Sequence, residues 1–179
     1  MKLAIVVGHN SKAQGAIRVT DGRTEFDWNN ELAKMIRDCD PESVKIFWRE
    51  AGQRYSKQID TVYAEVDAWK ADCSMELHFN GSVNPKANGG GTFSSGSHGS
   101  LELATFTRTR VSHALGNKDR GVRILGKGDR GGRSLFAGKC PAILTEPYFG
   151  THAKDCRMAS HNIDQLAEAY YEAAVSFCN

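Results

Sequence analysis

Short apolar runs alternate with stretches of helical period from the first residues to His78, and this alternation limits the fold more than any other feature of the chain. Leu3-Ala4-Ile5-Val6-Val7 stops at Gly8, as a buried strand should. From Glu25 the apolar residues Leu32, Met35, Ile36 and Cys39 recur at spacings of three and four, and Asp40-Pro41 ends the helix. Val44 to Trp48 reads as a second strand. Ile59, Val62, Tyr63, Val66 and Trp69 mark one face of a second helix, and a third strand is expected from about Cys73 to His78. The order βαβαβ predicts an α/β domain with a parallel or mostly parallel sheet covered by helices.

The second half is less regular. Asn80 to Gly99 is rich in Gly, Ser and Asn, with Thr92-Phe93-Ser94 as a short edge strand. Leu101 to Leu115 predicts a third helix and Val122 to Leu125 a short strand. Gly126 to Arg133 is too polar for a core and suits a surface loop. Ala142-Ile143-Leu144-Thr145 makes a last buried strand. Ile163, Leu166, Ala167, Tyr170, Ala174 and Phe177 line a closing amphipathic helix. Trp28, Trp48 and Trp69 lie on helix or strand patterns and are expected to pack. A chain of 179 residues without internal repeats or linkers fits one domain with one core.

Composition narrows the partners. The 23 basic and 21 acidic residues leave a net charge of +2, which makes no general case for nucleic acid or a membrane surface. No apolar run approaches the roughly 20 residues needed to span a bilayer. The amino-terminal run is too short for a signal peptide and meets Gly8-His9 where a small-residue cleavage site would stand. Five cysteines without a Cys-x-x-Cys pair suggest neither a disulfide framework nor a zinc knuckle. Buried free thiols, and synthesis in a reducing cytoplasm, are the expectation.

In an open α/β sheet, ligands bind beyond the carboxyl ends of the parallel strands. His9 follows the first strand, His78 closes the third, and Glu146 closes the last. Glu25 begins the helix after the first loop, so its carboxylate can reach the same crevice. Two imidazoles and a carboxylate make a three-ligand set typical of catalytic zinc, with the fourth position left for water or substrate. Zinc in such a set lowers the pKa of its water toward about 7 and polarises an amide carbonyl. A further carboxylate beside it can accept the water's proton and pass it to a leaving nitrogen. Glu146 suits that role and His9, Glu25 and His78 the ligand roles. Asp21, Asp27 and Glu31 compete for the third ligand, and exchange between Glu25 and Glu146 is the nearest alternative. Glu25 also suits a helix amino terminus, where the dipole favours negative charge.

These segments, in order, resemble the zinc-dependent N-acetylmuramoyl-L-alanine amidases of bacterial cell walls and phage endolysins. The matching pieces are Val6-Val7-Gly8-His9 with Gly15-Ala16, Glu25-Phe26-Asp27-Trp28-Asn29, Glu76-Leu77-His78-Phe79-Asn80, Asp119-Arg120-Gly121-Val122, and Ala142 to Phe149. The resemblance implies a mixed, mostly parallel sheet flanked by helices on both faces. It implies Zn2+ on His9, Glu25 and His78, catalysis by Glu146, and cleavage of the amide between N-acetylmuramic acid and L-alanine in peptidoglycan. Pro147 departs from the small or apolar residue usual after the catalytic glutamate, but it favours the extended backbone of a strand end.

The expected organisation is one catalytic domain over 1–179 with no separate wall-binding domain, acting as a monomer. Without an export signal, the chain is expected to be made in the cytoplasm and to meet the wall after release, as a phage endolysin does. Asn80 either holds its loop or contacts substrate. Arg130 and Arg133 either pair with stem-peptide carboxylates or stay in a solvated loop. Two other functions stay open: a zinc peptidase acting within the stem peptide, and a binding or phage structural module without turnover.

Overall fold

The computed structural model describes Met1–Asn179 as one six-stranded sheet with helices on both faces. The strands are β1 (Leu3–Val7), β2 (Val44–Trp48), β3 (Cys73–Leu77), β4 (Gly90–Ser94), β5 (Asp119–Ile124) and β6 (Ala142–Glu146). They lie in the order β2-β1-β3-β6-β4-β5. The first four in that order are parallel; β4 runs antiparallel to β6, and β5 parallel to β4. The mixed, mostly parallel sheet of the sequence reading is therefore the observed one.

Burial on both faces explains the unbroken apolar run of β1. Leu3, Ile5 and Val7 enter one core, while Ala4 and Val6 enter another on the opposite face. The larger core is closed by α1 (Glu25–Cys39), α3 (His98–Leu115) and α5 (Ile163–Cys178), which supply Leu32, Ile36, Leu103, Val111, Leu166 and Tyr170. The smaller is closed by α2 (Tyr55–Trp69), whose Ile59, Val62, Tyr63 and Val66 face the sheet. α1 begins at a defined point because the Thr24 hydroxyl accepts the Asp27 N–H at 3.2 Å. Glu25 thereby becomes the first helical residue, beside the carboxyl end of β1.

Several expectations need correction. The strand around Thr92-Phe93-Ser94 is internal, because β5 pairs outside it and takes the edge. The carboxyl-terminal region holds two helices, α4 (Ala153–His161) preceding α5. His152 caps α4 by accepting the Asp155 N–H; a histidine cap gives little sequence signal beside Ser, Thr, Asp or Asn. Of the cysteines, only Cys73 and Cys156 are buried, whereas Cys39 and Cys178 are exposed as the last residues of α1 and α5. Trp48 is exposed at the end of an edge strand, its indole N–H donating to Asn30 at 2.9 Å. No helix is long and apolar enough to cross a membrane.

Candidate metal centre

His9, Glu25 and His78 meet at the carboxyl edge of the parallel strands. One donor atom from each lies within 4.8 Å of the other two. His9 Nε2 stands 3.2 Å from Glu25 Oε2, and His78 Nδ1 lies within hydrogen-bond distance of Glu25 Oε1 at 2.7 Å. The two imidazole rings meet edge-on, 5.0 Å between centroids. Glu25 is buried to 5% side-chain exposure, while His78 and His9 retain 14% and 26%. The cluster is thus closed on the protein side and open toward solvent at His9.

The backbone around the cluster is built for it. His9 has φ 66°, one of two non-glycine residues at positive φ. A non-glycine residue in this region persists only when its surroundings hold it there; Arg49 Nε donates to the His9 carbonyl at 3.1 Å. Gly15 lies at φ 79°, and a Cβ there would come 2.7 Å from both Glu25 Oε2 and His9 Nε2. Only glycine lets the loop pass over the donors. The backbone N–H groups of Ala16 and Phe79 donate to the two Glu25 oxygens at 3.2 and 3.1 Å.

Charge follows this geometry. Burial opposes ionisation of Glu25, but its bonds to His78 and His9 prevail and hold it at about 2. Burial likewise opposes the His78 imidazolium, yet the bonds to Glu25 and Glu76 push it up to about 10. Two imidazole nitrogens and an ionised carboxylate that converge, with one side open, are a donor set that fits a catalytic zinc ion. A cation held there would take the place of a proton on His78.

Glu146, half-buried at the end of β6, faces this cluster. Burial raises its pKa; the His78 charge lowers it in part and the Glu25 charge adds to the rise. Asn80 Nδ2 donates to Glu146 Oε2 at 2.5 Å. The Asn80 backbone is itself fixed, its N–H to Tyr148 O and its carbonyl to Gly150 N–H. Arg130 and Arg120 contribute positive charge at Glu146. Arg133 instead forks onto Asp60 of α2, with Nη2 2.7 Å from Oδ2 and Nε 3.1 Å from Oδ1.

Three residues were given no role in the sequence reading, although Arg120 and Glu76 stand in its matching segments. Arg49 follows β2 directly, so the same search beyond strand ends that found His9 would have found it. Arg120 stands exposed beside the crevice with its guanidinium 5.2 Å from the centroid of the Phe149 ring. Glu76 is a charged residue near the end of a strand buried along its whole length, a placement that demands a partner. It finds three: His78 Nε2 at 3.0 Å, Arg49 Nη1 at 3.3 Å and the Tyr63 hydroxyl at 3.4 Å.

Comparison with known proteins bears on this geometry. Residues 3–176 match the family described as Amidase_3, N-acetylmuramoyl-L-alanine amidase. No curated protein matches the chain. Among solved structures, the catalytic domain of CwlV, an N-acetylmuramoyl-L-alanine amidase from Bacillus (Paenibacillus) polymyxa var. colistinus, superposes with a TM-score of 0.82 at 19% identity, covering 99% of this chain and 98% of that one. An N-acetylmuramoyl-L-alanine amidase from Clostridium difficile 630 gives 0.81 at 22% identity over 99% and 96%. The catalytic domain of an endolysin targeting Clostridia difficile gives 0.82 at 24% identity over 98% and 97%. At these identities the likeness establishes the shared fold.

Proposed function

The chain belongs to the N-acetylmuramoyl-L-alanine amidase family, and from that premise we propose that it hydrolyses the amide between N-acetylmuramic acid and L-alanine in peptidoglycan, with zinc held by His9, Glu25 and His78. The observation that carries this reading is the convergence of those three donors, within 4.8 Å of one another, beside a carboxylate whose pKa is raised. When bound, zinc supplies a Lewis acid for the amide carbonyl and a positive charge that favours ionisation of water near neutral pH.

Glu146 moves the protons. It accepts one from the attacking water as the water oxygen bonds to the lactyl carbonyl carbon. It returns that proton to the L-alanine nitrogen as the C–N bond breaks, leaving a lactyl carboxyl group and a stem peptide with a free amino terminus. A raised pKa brings the two protonation states closer to balance near neutral pH, as both halves of this task require. Asn80 holds one oxygen of Glu146 and leaves the other for the transfer. Arg130, with Arg120 at the crevice, meets the carboxylates of the stem peptide.

The decisive experiment is product analysis on purified walls, with protein stripped by a chelator and then reloaded with zinc. The expected outcome is new L-alanine amino termini and free lactyl groups, lost on stripping and restored by zinc. Cleavage between stem-peptide residues would replace the amidase reading with a peptidase. Wall binding without clearance, even with zinc added, would make the chain a binding module. Similarity to an endolysin catalytic domain also supports a lytic role in phage infection; produced in a host whose inner membrane is then permeabilised, the protein should lyse the cells, and intact cells would remove that role.

A further inference from the structure

We propose that Glu76 is a positioning residue of the metal centre: it holds the Nε2–H of His78 so that Nδ1 is the nitrogen offered to the metal, and Arg49 ties this hold to His9. The inference rests on the zinc reading above and adds a residue to it. Glu76 and His78 are two apart at the end of β3, so their side chains leave the same face of the sheet, the face covered by α2. Glu76 has 1% side-chain exposure and Arg49 5%. A carboxylate so placed needs its charge and lone pairs answered. Arg49 supplies the charge at 3.3 Å, Tyr63 a hydroxyl at 3.4 Å, and His78 the closest contact at 3.0 Å.

The direction of that contact matters. An imidazole binds a metal through one nitrogen while the other carries the proton, and the bond made by the second decides which is which. Nε2 faces Glu76, away from the cluster, and Nδ1 faces Glu25, toward it. Gly8 keeps room for this orientation, since a Cβ there would come 2.6 Å from His78 Nε2. Arg49 spans two ligand positions, with Nη1 on Glu76 and Nε on the carbonyl of His9, the residue held at positive φ. One buried ion pair therefore sets the ring of one histidine and the backbone of the other.

The test is zinc binding by the full chain, measured by competition with a chromophoric chelator, together with the 15N spectrum of the His78 ring. Zinc-loaded wild-type protein should carry the ring proton on Nε2 and a metal-shifted Nδ1. Glu76→Gln should weaken zinc binding roughly 10- to 100-fold, as loss of such a partner does elsewhere. Zinc affinity of Glu76→Gln within about twofold of wild type, far short of that loss, would overturn the proposal while leaving the zinc site standing. A ring proton on Nδ1 with zinc on Nε2 would overturn it as well. If Glu76→Gln does not fold, the wild-type ring spectrum decides alone. Wild-type protein that binds no zinc would overturn the metal centre itself, and the role of Glu76 with it.

Discussion

The parallel block β2-β1-β3-β6 and the flank β4-β5 divide the labour of this sheet unequally. β1 and β3 are buried along their whole length and β6 along all but its last residue, whereas β5 is exposed or half-exposed throughout. The block delivers its polar residues just beyond strand ends: His9, Arg49, His78, and Glu146 as the last residue of β6. The flank runs the other way. Gly91 pairs with Glu146 and Ser94 with Ile143, so β4 and β5 begin, rather than end, at the site edge. Arg120 reaches the crevice from the start of its strand for this reason. Strand direction decides which end of a segment to search: the block supplies His9 and His78 to the cluster, α1 adds the buried Glu25, and the flank adds exposed charge.

If that division is right, substitutions in the block remove function outright and those on the flank grade it. The largest effect is expected for His78→Ala, which takes away one of three donors and leaves Glu25 and Glu76 without the ring they share. Metal analysis should find zinc lost and wall-clearing activity gone. A variant that keeps stoichiometric zinc would break the comparison at its root.

Glu146→Gln is expected next in size. It keeps shape and an acceptor for Asn80 but cannot take the proton, so turnover should fall by roughly 10²- to 10⁴-fold, the usual worth of a general acid–base group. Zinc content should stay at the wild-type level. A near-normal rate would move the proton transfer to another group, and loss of zinc would give Glu146 a ligand role instead.

The same division governs what the sequence made legible. β1, α1, β2 and α2 were readable because periodicity and burial agree there, and the convergence of His9, Glu25 and His78 because each follows a parallel strand or begins the helix after one. The internal position of β4 was not readable, since Gly90-Gly91-Thr92-Phe93-Ser94 carries little apolar signal and its pairing comes from chain reversal. Glu76 was missed because a strand pattern treats it as an interruption, although a buried acid requires partners that only the folded chain reveals. Arg133 shows the converse: a basic glycine-rich loop suggests anion binding, and only the fold brings Asp60 to it.

A milder effect is expected from pH on the metal-free protein. Glu25 and Glu76 fall from the usual 4.5 to about 2 on folding, so the stability they lend is complete above 4.5 and lost as pH falls toward 2. His78 rises from 6.5 to about 10, so its contribution is complete below 6.5 and lost as pH climbs through 10. Thermal unfolding of chelator-treated protein should therefore show its highest midpoint between pH 4.5 and 6.5, declining on both sides. A midpoint that keeps rising from pH 6.5 to 9 would separate the His78 ring from its two carboxylates.

The smallest effects should come from the loop between β5 and β6, and they sharpen the comparison because two arginines three residues apart are expected to differ. Arg130 contributes positive charge at Glu146, while the guanidinium of Arg133 is already forked onto Asp60. A stem-peptide carboxylate can take the free guanidinium without breaking an existing pair. Arg130→Ala should raise KM about tenfold, the lower end for a hydrogen bond to a charged group, with kcat little changed because the interaction is equal in ground and transition states. Arg133→Ala should leave both constants near wild type. Equal changes in KM for the two variants would mean that Asp60 releases Arg133 to substrate, and the loop would then bind as a charged surface instead of through one residue.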